Sequence, residues 1–322
     1  NEANCKIEFL IENLKILDQE LSKINIPLTI IDSTGFKDNK DIILNLIKER
    51  SINKVFWNNQ FGNDEQNRDD TVTRSFKKND IEFSSYHEKV IFSPGSIRTA
   101  EDKPYSVFTP FKKKWIENFN LDLLDIEFKY LSKKKTLIES NVSDFKFKYK
   151  RNHSVDMSMW PPGEAHAKDR LELYVSKKIL RYSQDRNDPI VDGTSRISPY
   201  LANGIISPKR CILEALKMNN FELDTGEKGI TKWIDEIIWR EFYKNIMFCF
   251  PRVSQNKPFQ DYTNNIEWRY EESELDAWKN GNTGFPIIDS AMKQLKSEGW
   301  MHNRLRMVVA MFFTKNMLHD WR

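Results

Sequence analysis

Residues 232–250 bring aromatic rings and charges together in one stretch, with Trp233, Glu236, Trp239, Arg240, Glu241 and Tyr243 all inside it. Spacings of three and four put Trp233, Glu236 and Arg240 on one face of a helix, where charges are unusual if the helix is buried. A plain alternative also fits: an exposed Glu–Arg pair beside a core tryptophan. A second dense segment, Gly299-Trp300-Met301-His302-Asn303-Arg304-Leu305-Arg306-Met307, joins large, amide and guanidinium groups. Read as a helix start, it places Asn303 and Met307 on the same face, while Arg304 and Arg306, two residues apart, turn to different partners. Thr194-Ser195-Arg196 lies just before Ser198-Pro199, so hydroxyls, amides and a guanidinium converge at a helix start. That is a phosphate cradle, although Ser and Thr in this place also serve simply as caps.

The usual hydrolytic or metal-dependent sites have no counterpart. His87, His153, His166, His302 and His319 are scattered, without a His-Glu-x-x-His or a Cys/His pairing at ligand spacing. The carboxylate pairs Asp69-Asp70 and Glu271-Glu272 sit among polar neighbours and read as solvated surface. Walker and Rossmann glycine patterns are missing too. An enzyme of this composition leaves the hard chemistry to a cofactor and itself supplies position and electrostatics. No metal site is expected.

The elements that must carry these residues fall into two regimes. Residues 8–24 space Phe9, Leu10, Leu14, Ile16, Leu17 and Leu21 at helical intervals, and residues 26–31 follow as a β-branched, strand-like run. Residues 41–49 read as helix and 54–57 as strand. Residues 83–85 and 90–92 offer a further strand, so the first part reads as β-α-β units with a parallel sheet. Residues 133–162 mix Lys, Ser and Asn and end on Pro161-Pro162-Gly163, the pattern of a linker. From Glu164 onward helical spacing dominates, with helix starts at Ser198-Pro199 and Ser207-Pro208, where Ser caps and Pro takes the first helical position.

At 322 residues the chain calls for two cores. Its longest apolar run, residues 307–313, is too short to span a bilayer. Together with the absence of a signal peptide from residues 1–10, this gives the expectation of a soluble, cytoplasmic protein. Cys5, Cys211 and Cys249 are far apart and read as reduced thiols. A net charge of +3 does not mark a nucleic-acid binder. The local run Lys133, Lys134, Lys135, Lys146, Lys148, Lys150 and Arg151 could meet phosphate or lie on a solvated linker.

Thr194-Ser195-Arg196-Ile197-Ser198-Pro199-Tyr200-Leu201, Trp239-Arg240-Glu241-Phe242-Tyr243, Thr283-Gly284-Phe285-Pro286-Ile287-Ile288-Asp289 and Trp300 through Met307 occur in the order of the motifs of the photolyase/cryptochrome family. Val107-Phe108-Thr109-Pro110-Phe111 also resembles the family where its α/β domain ends. The resemblance covers nearly the whole chain and is strongest to the class I cyclobutane pyrimidine dimer photolyases.

It implies an α/β plus all-α protein. Residues 1–112 form a Rossmann-like parallel-sheet antenna domain lacking its first strand, 113–163 a long linker, and 164–322 a helical FAD- and DNA-binding domain that continues in the family past Arg322. By resemblance, FAD contacts fall on Tyr182, on Thr194, Ser195, Arg196, Ile197 and Ser198, on Trp233 and Arg240, and on Asn303 and Arg306. A dimer flipped out of the duplex would meet Glu236 through a polar base edge and Trp239 by stacking, with Asn303 and Met307 completing the wall. Arg186 and Arg304, with Arg240, complete the implied DNA contacts.

The implied activity is that of a deoxyribodipyrimidine photo-lyase, in which excited, reduced, anionic FAD lends an electron to the dimer. Glu236 stabilises charge on the dimer, and Trp278 and Trp321 match the surface and middle members of the family's tryptophan chain. Glu65 matches a carboxylate that holds a reduced folate antenna, methenyltetrahydrofolate, whereas Ser254 and Gln255 stand where a Cys-Lys pair is expected. The implied partner is dimer-containing DNA and the implied state a monomer. The alternative is a cryptochrome, a blue-light flavin photoreceptor without repair activity; the Glu236, Trp239, Asn303 and Met307 set favours repair.

Overall fold

The computed structural model describes residues 3–33, 35–124, 138–149 and 151–322. In chain order its main elements are α1 (Asn4–Ser22), α2 (Asn39–Glu49), β1 (Lys54–Asn58), α3 (Asn63–Lys78), β2 (Glu82–Tyr86), α4 (Phe108–Asn118), α5 (Glu164–Lys177), α6 (Tyr182–Asp185), α7 (Ser198–Asn203), α8 (Pro208–Met218), α9 (Lys228–Cys249), α10 (Glu272–Asn280), α11 (Pro286–Glu298) and α12 (Asn303–Met311). They pack into two compact units, each assembled from separated stretches. One unit takes Asn1–Ile30, Lys129–Pro199 and Asn265–Arg322, and the other Ile31–Phe128 and Tyr200–Asn264. No helix among the described residues is long and apolar enough to cross a membrane.

In the second of these units β1 and β2 run parallel, with Val55 opposite Phe83 and Trp57 opposite Ser85. Helix α3 joins them, the crossover that a parallel pair requires. Ile47 of α2 and Val72 and Phe76 of α3 form a small core, and Trp57, stacked on Phe83 at 5.3 Å, packs against it. Helix α9 is the backbone of this unit. Ile230, Trp233, Ile234, Ile237, Ile238 and Phe242 recur at helical spacing and are buried. Helix α8 packs Cys211, Ile212, Ala215 and Leu216 inward, and burial pushes the Cys211 thiol up to about 12, as expected of an unreactive packed thiol.

The first unit holds its chain-distant pieces through polar contacts. On α1, Glu8 accepts the Tyr149 hydroxyl at 2.5 Å and lies 2.9 Å from His153. The Trp160 indole N–H donates to the Glu298 carbonyl at 2.7 Å, seating the segment before α5 against α11. Helices α11 and α12 share a core of Ile288, Ala291, Met292, Met301 and Val309.

Two strand expectations are corrected. Residues 26–31 form no strand; the Leu28 amide donates to Ser140 Oγ at 2.8 Å and the Ile30 amide to Asn141 Oδ1 at 2.7 Å. Side chains there take the place of a neighbouring strand. Residues 90–92 also form none, because the Ile91 and Phe92 amides donate to the Glu241 carboxylate. Of the basic run near the linker, Lys133, Lys134, Lys135 and Lys150 lie outside the described residues.

Candidate functional site

On α9 the expected face exists: Trp233 is buried, while Glu236, Trp239 and Arg240 are half-buried. Arg240 is braced, donating to the carbonyl oxygens of Lys89 at 2.5 Å and Leu201 at 3.0 Å. Trp239 does not stand alone. The Phe108 ring lies parallel to it at 3.6 Å, and the exposed Tyr243 ring lies at 5.6 Å. Part of the indole surface assigned to stacking on a lesion is thus covered by the chain's own phenylalanine.

A flanking side of the same helix carries Glu241, to which the sequence assigned no role of its own. Glu241, fully enclosed, accepts from Ile91 N at 2.6 Å, Phe92 N at 3.0 Å and the Trp115 indole at 2.7 Å. Burial pushes its carboxyl up to about 7, against the pull of those donors and of Arg240. It locks the turn after β2, α4 and α9 to one another.

In the other unit, Thr194, Ser195 and Arg196 line a cavity of about 380 Å³ with His166, Arg170, Tyr174 and Lys178. Hydroxyls and cations face this hollow, and so do Asp169 and Asp192, the latter paired with Lys178 at 2.5 Å and with Arg196 at 3.6 Å. Arg196 has a left-handed backbone, φ +49°, a conformation that is costly for a side-chain-bearing residue. Its guanidinium turns onto the Trp300 ring at 4.4 Å and toward Glu298 at 3.4 Å. Arg196 therefore contributes its backbone and a stacked charge at the cavity wall. Ile197 is buried behind this loop and Ser198 begins α7. Tyr182 is buried too, with the Arg186 guanidinium 5.3 Å from its ring centroid.

Helix α12 starts as expected. His302 caps it, its Nδ1 accepting the Arg304 amide at 3.2 Å, and burial lowers the His302 pKa, which keeps that nitrogen available as an acceptor. The buried Nε2 of the same ring has no hydrogen-bond partner among the described residues. Asn303 and Met307 are exposed together, and the two arginines diverge. Arg304 donates twice to Asn187 Oδ1, at 2.9 and 2.7 Å, whereas Arg306 Nε donates to the Met301 carbonyl at 3.0 Å.

Trp278 is half-buried against the α11–α12 core, with Phe313 at 4.5 Å, while Trp321 is 46% exposed. Trp268, overlooked in the sequence, is a second half-buried indole here; Arg269 next to it pairs with His319, bringing the segments of Trp268 and Trp321 side by side.

Glu65 borders a cavity of about 450 Å³ with Phe61, Gly62, Asp64, Met247, Ser254 and Lys244. The Asn63 amide donates to Ser254 Oγ at 3.0 Å across its rim. Lys244, also not singled out in the sequence, sits 4.3 Å from the Phe61 ring centroid, and burial together with Arg240 and Lys89 pushes its ammonium down to about 8. No cluster of metal-ligating residues occurs among the described residues.

The chain is similar to known proteins along its length. Residues 233–322 match the FAD binding domain of DNA photolyase and residues 1–129 match the DNA photolyase model. The deoxyribodipyrimidine photo-lyase of Escherichia coli is 34% identical over the full chain, which spans 67% of that protein. The chain belongs to the DNA photolyase family. The photo-lyase of Buchnera aphidicola from Acyrthosiphon pisum is 35% identical over 98% of this photolyase-family chain, which spans 65% of the relative's length. A class III photolyase structure from Agrobacterium tumefaciens superposes with a TM-score of 0.87 at 29% identity, covering 99% of this chain and 65% of that one. The photolyase fold, an α/β part and a helical part, is therefore that of this chain.

Proposed function

We propose that the chain forms the greater part of a light-driven deoxyribodipyrimidine photo-lyase that repairs cyclobutane pyrimidine dimers in DNA. The observation that carries this reading is the match to photo-lyases along essentially the whole chain. The division into an antenna domain at 1–112, a linker at 113–163 and a helical FAD- and DNA-binding domain at 164–322 goes with it.

Reduced FAD, when bound, supplies on illumination the electron that opens the two cyclobutane carbon–carbon bonds and takes it back afterwards. The residues present fit such a group. The hydroxyls of Thr194 and Ser195 and the Arg170 guanidinium would meet its diphosphate, with Lys178 held by Asp192 in the same cavity, and the buried His302 ring keeps one nitrogen unpaired among the described residues. The resemblance assigns the remainder of the group to Tyr182, Ile197, Ser198, Asn303 and Arg306, and also to Trp233 and Arg240. Glu236 would hydrogen-bond the pyrimidine edge and stabilise charge developing on it, an effect strengthened where water is excluded. Asn303 offers an amide and Met307 a polarizable thioether to the same substrate. Trp239, backed by Phe108, would present its remaining surface to the dimer, and Arg186 and Arg304 would contact phosphate. Trp278 and Trp321 would relay electrons to the flavin.

Beside Glu65 the second cavity would hold the antenna, a reduced folate of the methenyltetrahydrofolate kind. The protein would act as a cytoplasmic monomer.

The test is illumination of the full-length protein with a dimer-containing oligonucleotide under near-UV or blue light. Repair is expected, and Glu236→Ala should lower its yield several-fold while the flavin absorbance stays. Flavin bound without repair would reject the reading in favour of a photoreceptor; loss of flavin in Glu236→Ala would make that residue structural.

A further inference from the structure

Ile190 is 94% exposed, more than any other large hydrophobic residue among those described. Single exposed apolar residues are common and by themselves decide nothing. What sets Ile190 apart is where it stands. It tops the turn between α6 and the Thr194 loop, and that turn is held in shape by its own bonds: the Ile190 amide donates to Asp188 Oδ1 at 2.9 Å and the Gly193 amide to the Val191 carbonyl at 2.8 Å. Pro189 stiffens it further. Of the neighbouring carboxylates, Asp185 pairs with Arg181 at 3.1 Å and Asp192 with Lys178 at 2.5 Å, while Asp188 stays exposed in the turn with its Oδ1 on the Ile190 amide.

The base of the turn is tied to α12. Arg304 grips Asn187 with two hydrogen bonds and extends its remaining arm to Met307 Sδ at 3.6 Å. An apolar tip is thereby joined, through one guanidinium, to the helix that presents Asn303 and Met307. Duplex DNA is the occupant this arrangement suits. A nucleotide pair that leaves the stack opens an apolar gap between base planes, and proteins that distort DNA fill such gaps with an aliphatic side chain. Arg186, against the Tyr182 ring, and Arg304, bonded to Asn187, bring positive charge to the base of the turn, where adjoining phosphates would need it.

We propose that Ile190 is a wedge that enters the duplex where the dimer has left the stack. The proposal rests on the repair reading above. It predicts a contribution confined to double-stranded substrate, because a single strand has no gap to fill.

The experiment measures affinity by fluorescence anisotropy for the full-length protein and its Ile190→Ser and Ile190→Leu variants, each on one thymine dimer in duplex and in single-stranded form. Ile190→Ser should weaken duplex binding about tenfold, the scale of a lost stacking contact. Its single-strand affinity should be unchanged, and Ile190→Leu should restore the duplex value. Unaltered duplex binding, equal loss on both substrates, or failure of Ile190→Leu to restore would each overturn the wedge while leaving repair intact. A wild-type protein that does not prefer dimer-containing over undamaged DNA would instead reject the repair reading, and the wedge with it.

Discussion

Glu241 shows how much one enclosed carboxylate can organise. Its three donors come from the turn after β2 and from α4, and together they fix α9 against both. The raised pKa has a definite thermodynamic sign. Between its ordinary value of 4.5 and its folded value of about 7, the native chain keeps a proton that the unfolded chain releases. The associated stability is fully present below pH 4.5 and is lost as pH rises through 7, a change on the order of 3 kcal/mol. Urea unfolding at pH 5 and pH 8 should show the wild type less stable at the higher pH from this group. Glu241→Gln should flatten that dependence and lower stability at pH 5 by about 1–3 kcal/mol, since an amide cannot accept in the same pattern. An unchanged slope in the variant would remove Glu241 as its source. None of this was legible in the sequence. Trp239-Arg240-Glu241 read as one motif, but the partners of Glu241 lie 126 to 150 positions away and only the fold brings them in.

Among the elements, those whose causes are local were read correctly and those whose partners are distant were not. Residues 41–49 and 54–57 declared themselves through periodicity, and α8 through Ser207-Pro208. Residues 26–31 looked equally like a strand by composition, yet strand formation depends on what lies alongside, and there the side chains of Ser140 and Asn141 lie alongside. Helix α12 was legible because its signal is short-range: a cap at His302, then residues three and four apart on one face. The α8 start carries a quantitative expectation. Ser207 Oγ accepts the Lys209 amide at 3.1 Å, and Pro208 occupies the first turn. Ser207→Ala removes one partner of an otherwise orphaned amide and should cost about 1 kcal/mol, read as a lower urea midpoint with an unchanged slope. A loss well beyond that would mean that Ser207 also positions α8 against α9, where Cys211 and Leu216 are buried.

For the molecule as a whole, the motif order nominates Thr194, Arg240, Asn303 and their neighbours as site candidates, but both compact units are stitched from separated stretches, which linear periodicity does not report. Net charge is the whole-molecule property that bears on DNA. At +3 over 322 residues the chain carries little general attraction for a polyanion, so on the repair reading selectivity would come from the lesion and a few placed cations. With about two or three phosphates neutralised, raising salt from about 50 to 200 mM should weaken binding to a dimer-containing duplex by about 10–40-fold, far less than for a strongly basic binder. Arg186, at the base of the turn that carries Ile190, is the cation proposed for this role. Arg186→Gln should therefore reduce the slope of log Kd against log salt by about one while leaving the preference for damaged over undamaged duplex in place. A slope that does not move would take Arg186 off the phosphate backbone and return its charge to the Tyr182 ring against which it lies.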